Sequence, residues 1–385
     1  MGALTDTLAD SRTSSRTFTE GVPLVVEDVA GRAVPERSEM LADPGFGRYF
    51  TDRMFIARYR AGQGWYDARL TAYGPLQVDP SMATLHYAQS IFEGLKAYAQ
   101  PDGSVATFRP EANAARFVRS AKRLAMPPVP EDGFLAAVDA LVDADRDWVP
   151  SGPDQTLYIR PYQMASEPFL GVRPANEYLF LVIASPAGAY FPRGVQPVSV
   201  YLSEDYIRAA PGGTGDVKCA GNYAASLLAQ EQAIDAGCDQ VVWLDAAEKR
   251  YVEEMGGMNL FFVLGSGTDG TAAELVTPEL TGTLLPGITR DSLMTLAGEL
   301  GHKVTERRFS VDEWRQGVAD GTVTETFACG TAAVITPVGE VKARTGNFAV
   351  GEGTPGPLTM ALREKLLDIQ HGRVADTHGW LHRVA

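Results

Sequence analysis

The sequence predicts a mixed α+β protein with two domains, and three features point to this class. The chain has 385 residues, whereas one domain usually takes about 100–200 residues. Segments with the composition of strands are interspersed with amphipathic helical segments, but without the regular strand–helix–strand period of a doubly wound sheet. A segment rich in proline and glycine, residues 185–194, separates the two halves of the chain.

This separation predicts an N-terminal domain over residues 1–187 and a C-terminal domain over residues 199–385, joined by an interdomain loop over residues 188–198. Residues 1–18 contain two aspartates and no long apolar run. We therefore expect a flexible, solvated arm there and not a signal peptide.

The first half should contain four strands and two helices. Helices are predicted at residues 111–124 and 131–143, where apolar residues recur at helical spacing. The β-branched and aromatic residues of strands occur at residues 54–59, 65–70, 157–163 and 177–184. The last of these segments includes the longest strongly apolar run, YLFLVIA, which is too short to cross a bilayer and is typical of a buried strand.

The second half has a similar mixture, with a glycine-rich loop at residues 212–221. Strands are predicted at residues 195–202, 240–244, 250–252, 258–264 and 323–328. Helices are predicted at residues 223–236, 290–300 and 357–369.

Charge and cysteine content exclude several classes of function. The 34 basic residues against 48 acidic ones give a net charge of −14, which disfavours binding to a nucleic-acid backbone. Three cysteines without CxxC spacing and five histidines without an HExxH motif predict neither a disulfide framework nor a metal site. Isolated thiols and the absence of a leader predict a cytoplasmic protein.

Lys218 is the first candidate for chemistry, because small residues surround it in PGGTGDVKCAGNYAA. A solvated surface lysine is the commoner meaning of such a residue. A phosphate-binding Walker loop is excluded, since Lys218 follows valine and precedes cysteine. A lysine that forms a Schiff base must be deprotonated, which requires its pKa to fall from about 10.4 towards roughly 7–8.

The sequence offers a candidate residue for each group that pyridoxal phosphate would need beside such a lysine. Glu254 could pair with the ring nitrogen and Tyr223 with the ring oxygen. Thr289 and Thr331 lie in turns that could direct backbone N–H groups at a phosphate, and Arg116 could bind the phosphate from the other domain. Each has an ordinary alternative when taken alone. Glu254 could be a turn acid and Tyr223 a structural tyrosine. Thr289 and Thr331 could be helix or turn caps, and Arg116 could extend to solvent. Their combination favours the cofactor.

The same residues lie within nine motifs that resemble the branched-chain amino acid aminotransferases, which belong to the class IV fold of pyridoxal-phosphate enzymes. The resemblance runs from about residue 50 to residue 380. Its motifs are HYAQSIFEGLKAY, ARFVRSAKRL, LYIRP, EPFLGV, GAYFPRG, VKCAGNYAASL, EEMGGMNLFFV, TGTLLPGITRDSL and CGTAA.

The resemblance implies a smaller N-terminal domain, a larger cofactor-binding C-terminal domain, and a role for each cofactor residue. Lys218 would form the Schiff base and move a proton between the substrate α-carbon and the cofactor C4′. Glu254 would pair with the pyridine nitrogen, and Tyr223 would donate to the ring oxygen. The phosphate would be held by Arg116, Ile288, Thr289 and Thr331.

The resemblance also implies a substrate pocket completed in a homodimer. Tyr87, Phe92 and Tyr190 would form its aromatic wall, while the other subunit would supply Tyr158 and Leu170. From the residues alone, Tyr87 and Phe92 would be assigned to the core. Arg160 would receive the distal carboxylate of glutamate or 2-oxoglutarate, and the remaining substrate contacts would come from Lys96, Gly257 and Ala332.

Two alternative functions stay open. Other class IV enzymes, the D-amino-acid aminotransferases and aminodeoxychorismate lyases, share the lysine and the glutamate. A ligand-binding relative without catalysis is the second alternative.

The sequence departs from the mammalian pattern at a redox motif. The redox CxxC of the mammalian relatives falls on Ala333 and Thr336, so we expect no thiol switch there, and Cys329 should be a buried, inert cysteine.

Overall fold

The computed structural model describes residues 16–189, 194–267 and 272–384, which fold around two large β-sheets. The helices are α1 (Val34–Ala42), α2 (Ala83–Tyr87), α3 (Pro110–Arg123), α4 (Glu131–Ala144), α5 (Ala220–Ala224), α6 (Leu227–Asp235), α7 (Ile288–Glu299), α8 (Val311–Asp320) and α9 (Pro357–Gln370). The strands are β1 (Thr17–Thr19), β2 (Val22–Val26), β3 (Arg53–Arg60), β4 (Gly64–Ala72), β5 (Ser90–Phe92), β6 (Leu95–Ala99), β7 (Val105–Phe108), β8 (Thr156–Ala165), β9 (Glu177–Ala187), β10 (Val198–Ser203), β11 (Gln240–Leu244), β12 (Val252–Met255), β13 (Met258–Leu264), β14 (Glu274–Thr277), β15 (Lys303–Glu306), β16 (Val323–Gly330), β17 (Val334–Lys342), β18 (Phe348–Ala349) and β19 (Leu381–Val384).

The first sheet has the order β1-β2-β4-β3-β9-β8-β6-β7-β19, and β5 pairs with β8. Only β2 and β4 run parallel among its pairs; the others are antiparallel. Both α3 and α4 pack on this sheet. Their apolar stripes share a core with the central strand β9, formed around the rings of Phe117, Phe134 and Phe180.

Local sequence explains why α3 and α4 form where they do. In α3, proline occupies the first turn, where its missing N–H costs nothing, and the helix ends in Lys122 and Arg123, whose charges favour the C-terminus of the helix dipole. In α4, Glu131 and Asp132 favour the opposite end. The helix predictions at residues 111–124 and 131–143 are confirmed with small shifts at their ends.

The second sheet has the order β12-β11-β10-β17-β16-β13-β14-β15. Because β12 also pairs with β13, six of these strands close into a barrel, and β14 and β15 extend from β13 beyond it. Both sheets and the helices around them confirm the mixed α+β class. The predicted strands at residues 240–244 and 258–264 coincide with β11 and β13.

Some predicted elements differ from the structure. Residues 185–187, the start of the proline- and glycine-rich segment before the interdomain loop predicted at residues 188–198, belong to β9, where they pair with β8 and are buried. Residues 190–193 of that loop lie outside the described residues. The helix expected at residues 223–236 begins earlier, as α5, and is interrupted before α6; the strand expected at residues 250–252 lies further on, as β12.

The end of the chain returns to the first sheet. Strand β19 pairs with β7 in antiparallel register, from Leu381 opposite Phe108 to Val384 opposite Val105. The domain expected over residues 199–385 therefore does not include its last strand. None of the helices in the three described ranges has the length and apolar character needed to cross a bilayer.

Glu325 caps α9 from a neighbouring strand, and its removal should destabilise the fold. Its carboxylate accepts the Leu358 and Thr359 N–H groups at 3.0 and 2.8 Å, and the Thr359 hydroxyl at 2.6 Å. Glu325→Gln should lower the free energy of unfolding by about 2 kcal/mol, because bonds to a charged acceptor are weakened. Denaturant unfolding measures this, with the exposed Glu364→Gln as control. Equal stability of the two variants would contradict the capping role.

Candidate active site

Lys218 lies in the loop before α5, and its backbone is attached to strand β5 through its carbonyl and to helix α3 through its N–H. Its carbonyl accepts the Phe92 N–H at 3.0 Å, and its own N–H donates to the Ser120 hydroxyl at 3.1 Å. Its Nζ donates to the Tyr223 hydroxyl at 2.8 Å and lies 5.0 Å from the centre of the Phe92 ring. The lysine is therefore a half-buried, oriented group and not a solvated one.

Tyr223 projects from α5 into the same space. Its ring lies 4.8 Å from that of Phe92. A Cβ on Gly257 would lie 3.5 Å from the Tyr223 ring, an ordinary contact distance, so the β12–β13 turn lies directly beside the tyrosine. The structure thus brings Lys218, Tyr223, Phe92 and Gly257 together.

Glu254 is 1% exposed on β12 and is surrounded by donors. Its Oε1 accepts the Leu285 N–H at 2.7 Å, and its Oε2 lies 3.1 Å from the Nε of Arg208. Burial raises the pKa of Glu254, while Arg208, the Leu285 N–H and the charge of Lys218 oppose that rise. Glu254 is therefore a buried acid held among donors on the side of the site that faces Arg208. Arg208, which lies 46 positions away in the chain, gave no sign of this role in the sequence.

A potential anion site lies at the start of α7, where Ile288 and Thr289 are the first two helical residues. The first turn of a helix presents unpaired N–H groups and the positive end of the dipole. Gly287 caps this helix, and a Cβ there would lie 2.0 Å from the amide oxygen of Asn259, so only glycine fits. Thr331 lies in the turn that joins β16 to β17, and these strands share a core with α7.

Arg116 is buried and does not extend to solvent. It makes a two-point ion pair with Glu93, at 2.7 and 2.8 Å, and its Nη1 donates to the Pro286 carbonyl at 3.0 Å, just before α7. Asn113 also donates to Glu93 at 2.7 Å. Burial would raise the pKa of Glu93, but Arg116, Lys218 and Asn113 outweigh it and hold that pKa below its ordinary value. Glu93 lies within FEGLKAY, yet sequence reasoning assigned it no role.

Phe92, Tyr158 and Arg160 form one wall beside the lysine. The guanidinium of Arg160 lies 4.8 Å from the Phe92 ring centre, and its Nη2 donates to the Tyr158 hydroxyl at 2.9 Å. A Cβ on Gly94 would lie 2.1 Å from that hydroxyl, so this close approach requires glycine. Arg160 Nε is buried and has no hydrogen-bond partner among the described residues.

This wall corrects the expectation that another subunit supplies Tyr158. The residue pairs with Lys96 across β6 and β8 of the same chain and contacts this chain's Arg160. The ring of Phe46, which the sequence did not single out, lies 5.0 Å from the Tyr158 ring. Strand register determines these contacts, and the spacing of residues along the chain does not reveal it.

Tyr87 and Leu170 lie together on the surface. The Tyr87 hydroxyl donates to the Leu170 carbonyl, and the two residues are 41% and 63% exposed. The structure therefore joins Tyr87 to Leu170, and the assignment of Tyr87 to an aromatic wall with Phe92 stays a prediction. Tyr190 lies outside the described residues.

Lys96 connects the two sheets. Its Nζ is buried and donates to the Ala332 carbonyl, beside Thr331, at 2.8 Å. Burial lowers the pKa of Lys96 to about 8. The expected substrate contacts Lys96 and Ala332 are thus bonded to each other at the turn that also carries a phosphate candidate.

The lowered pKa of Lys96 has a measurable effect on stability. Between pH 8 and 10.5 the unfolded chain keeps a proton that the folded protein has lost, so stability rises with pH in that window. Lys96→Met lacks this contribution. The free energy of unfolding of the variant, measured against that of the wild type, should therefore fall by about 3 kcal/mol as the pH rises from 8 to 10.5. Denaturant unfolding as a function of pH measures the difference. A difference that is constant with pH would contradict the buried charge of Lys96.

The cysteines and histidines offer no further chemistry. All three thiols are free and buried, and burial raises the pKa of Cys329 far above its ordinary value, so this thiol is unreactive. Over the described ranges, no group of three or more His, Cys, Asp or Glu side chains could hold a metal ion.

The donor set fits pyridoxal phosphate. A lysine amine, a tyrosine hydroxyl and a buried carboxylate surround one space, and a helix N-terminus with a nearby arginine provides positive potential for a phosphate. Lys218, Tyr223 and Glu254 could hold the ring, and Ile288, Thr289, Thr331 and Arg116 the phosphate.

Comparisons with known proteins agree with this chemistry. Residues 90–341 match the family model for amino-transferase class IV. The chain is 60% identical, over 349 residues, to a branched-chain-amino-acid aminotransferase of Mycolicibacterium smegmatis, covering 90% of this chain and 94% of the relative. It is 47% identical to branched-chain-amino-acid transaminase 1 of Bacillus subtilis, covering 87% and 93%.

Solved structures show the same similarity. A branched-chain amino acid aminotransferase of Escherichia coli superposes with a TM-score of 0.71 at 29% identity, covering 87% of this chain and 99% of that one. The enzyme of that name from Thermobaculum terrenum, solved in its PLP-form, gives a TM-score of 0.69 at 26% identity, covering 86% and 98%.

Proposed function

Because this chain belongs to the class IV aminotransferases, and within them to the branched-chain-amino-acid aminotransferases, we propose a division of work among its active-site residues. The enzyme depends on pyridoxal phosphate and transfers the amino group between L-leucine, L-isoleucine or L-valine and 2-oxoglutarate. The observation that carries the proposal is the hydrogen bond from Lys218 to Tyr223 beside the buried carboxylate of Glu254.

Lys218 is the residue that bonds the cofactor and then moves one proton. When bound, pyridoxal phosphate supplies an electron-withdrawing ring that makes the α-hydrogen of the substrate acidic. Lys218 Nζ would take the proton from the substrate α-carbon and would hold it for return to the other side of the bond that is being rearranged. Tyr223 orients Nζ through their 2.8 Å hydrogen bond. Glu254 would bind the ring nitrogen, and the first turn of α7, Thr331 and Arg116 would bind the phosphate.

The substrate pocket must accept both an aliphatic side chain and a carboxylate. Phe92 supplies apolar surface, and Arg160 supplies a cation for the distal carboxylate of glutamate. An unpaired guanidinium in an apolar pocket is costly, but Arg160 donates to Tyr158 and lies over the Phe92 ring when no carboxylate is present. Its unpartnered Nε is the donor left for the second substrate.

The variant Arg160→Met should affect the half-reactions of the two substrates differently. The half-reaction with glutamate or 2-oxoglutarate should slow by about 10–150-fold, since a charge-assisted hydrogen bond of about 1.5–3 kcal/mol is lost. The half-reaction with leucine should change far less and is the internal control. Single-turnover absorbance changes of the cofactor measure both. Equal losses with leucine and glutamate would refute the role of Arg160.

The same half-reactions test the function itself. Purified holoenzyme should turn over L-leucine, L-isoleucine and L-valine rapidly and D-alanine not at all. Rapid turnover of D-alanine with no reaction of L-leucine would favour a D-amino-acid aminotransferase instead.

We also propose that the enzyme is a cytoplasmic homodimer. The three unpaired thiols suit a reducing compartment. Leu170 and Val172 are 63% and 85% exposed beside Tyr87, and this apolar surface suits a role in the partner's pocket. Mixing inactive Lys218→Ala and Leu170→Asp chains should restore activity in hybrid dimers, because one site then has both native residues. No recovery in confirmed hybrids would contradict the shared site.

A further inference from the structure

Arg208 lies at the junction of three segments of the active site. Its side chain is 7% exposed, and its Nε is 3.1 Å from Oε2 of Glu254. Its Nη2 donates to the Gly215 carbonyl at 3.3 Å and to the Thr283 carbonyl. Gly215 is in the loop that carries the lysine, and Thr283 is in the segment that leads to α7. One guanidinium therefore contacts the lysine loop, the phosphate segment and the acid.

The packing at this junction is close. A Cβ on Gly215 would lie 2.3 Å from the Thr283 carbonyl oxygen and 2.5 Å from the Ala209 Cβ, so the two loops touch only because this residue is glycine. The Gly215 and Thr283 carbonyls both accept from the same nitrogen, Nη2 of Arg208. Arg208 satisfies both of them, and a shorter or apolar side chain would leave them without this donor.

The orientation of Arg208 leaves Glu254 available to a ligand. Although Nε is 3.1 Å from Oε2, its N–H makes no aligned hydrogen bond within the part of the chain that the structure describes. The attraction is therefore mainly electrostatic. With Oε1 receiving the Leu285 N–H, Oε2 keeps lone-pair capacity for one more N–H donor.

We propose that Arg208 is a positioning residue that keeps Glu254 ionised and holds the lysine loop and the phosphate segment in place around it. This inference rests on the proposed function, in which Glu254 binds the ring nitrogen of the cofactor. A protonated Glu254 would present an O–H where the protonated ring nitrogen needs an acceptor, so ionisation of this carboxylate is required for its task.

The charges around Glu254 show why a dedicated cation is needed. Glu253 is also buried, accepts the Thr283 hydroxyl, and has a pKa that burial raises. Two neighbouring carboxylates in a dry environment favour uptake of a proton by one of them. Arg116 is already paired with Glu93, and Lys218 must become neutral to react. Arg208 is thus the cation that stays beside Glu254 throughout the reaction.

Infrared spectroscopy of the cofactor-free protein tests this directly. Arg208→Met should produce a protonated-carboxyl band that the wild type lacks, and the double variant Arg208→Met/Glu254→Gln should lose it. Arg208→Lys keeps the charge and should show little or none of the band. Arg308→Met is the matched control, because Arg308 pairs with Asp245 and Glu248 at an exposed position.

Kinetics of the reconstituted variants provide the second readout. Arg208→Met should reduce kcat/KM about 10–100-fold, by analogy with the loss of a group that orients a metal ligand, with Arg208→Lys in between and Arg308→Met unchanged. A folded Arg208→Met protein without the band and with unaltered kinetics would overturn the proposal. If Arg208→Met does not fold, Arg208→Lys becomes the test. A protonated-carboxyl band in Arg208→Lys with the intensity of one full carboxyl group per chain would overturn the proposal. Since the infrared test needs no cofactor, its failure would leave the role of Lys218 untouched.

Discussion

Replacing Lys218 with alanine is expected to slow both half-reactions by about 10⁴-fold or more, because one side chain supplies both the bond to the cofactor and the proton transfer. The variant should still bind pyridoxal phosphate, since Glu254, Tyr223 and the start of α7 remain. Its visible absorption should shift to that of the unbonded cofactor. Single-turnover kinetics with leucine and with glutamate measure the loss.

The control for this variant is Lys122→Ala, an exposed lysine on α3 that should leave both half-reactions unchanged. Added methylamine should partly restore the rate of Lys218→Ala, because it supplies the missing amine without the missing geometry. A Lys218→Ala enzyme that retains more than about one-hundredth of wild-type activity would mean that another base moves the proton.

Breaking the buried pair of Glu93 and Arg116 should give the largest loss of stability. Glu93→Gln leaves the Arg116 guanidinium, whose side chain is 5% exposed, without its counter-charge. The free energy of unfolding should fall by about 3–5 kcal/mol, the usual cost of removing one partner of a buried ion pair. Denaturant unfolding measures this loss, and the affinity for pyridoxal phosphate should fall with it, because Arg116 also bonds the segment before α7.

A double-mutant cycle separates the pair from its surroundings. Arg116→Met combined with Glu93→Gln should cost less than the sum of the two single changes, since neither variant residue then leaves a charge unpaired. Additive losses would show that the two side chains do not stabilise each other.

Elements that depend on local pattern could be predicted from the sequence. The helices α3 and α4 have regular apolar spacing, and β11 and β13 are short apolar runs with clear ends, so their positions were predicted closely. The pairing of β19 with β7 could not be predicted, because it joins segments far apart in the chain and no local signal specifies it.

The same division applies to the active site. Lys218, Tyr223 and Glu254 lie in motifs that indicate their chemistry, and the structure brings them together. Their partners Glu93 and Arg208 were missed because a buried ion pair depends on which segments meet in space. Tyr158 was assigned to the wrong subunit for a similar reason: only the register of β6 with β8 shows that it lies beside this chain's own Arg160.

Borohydride reduction of the holoenzyme, followed by peptide mapping, tests the central claim most directly. Reduction fixes the cofactor permanently on the lysine that binds it. We expect one phosphopyridoxyl group per chain, located on the peptide that contains Lys218. A label on Lys96, a buried lysine close to the site, or no label in protein that has been reconstituted with pyridoxal phosphate, would contradict the account.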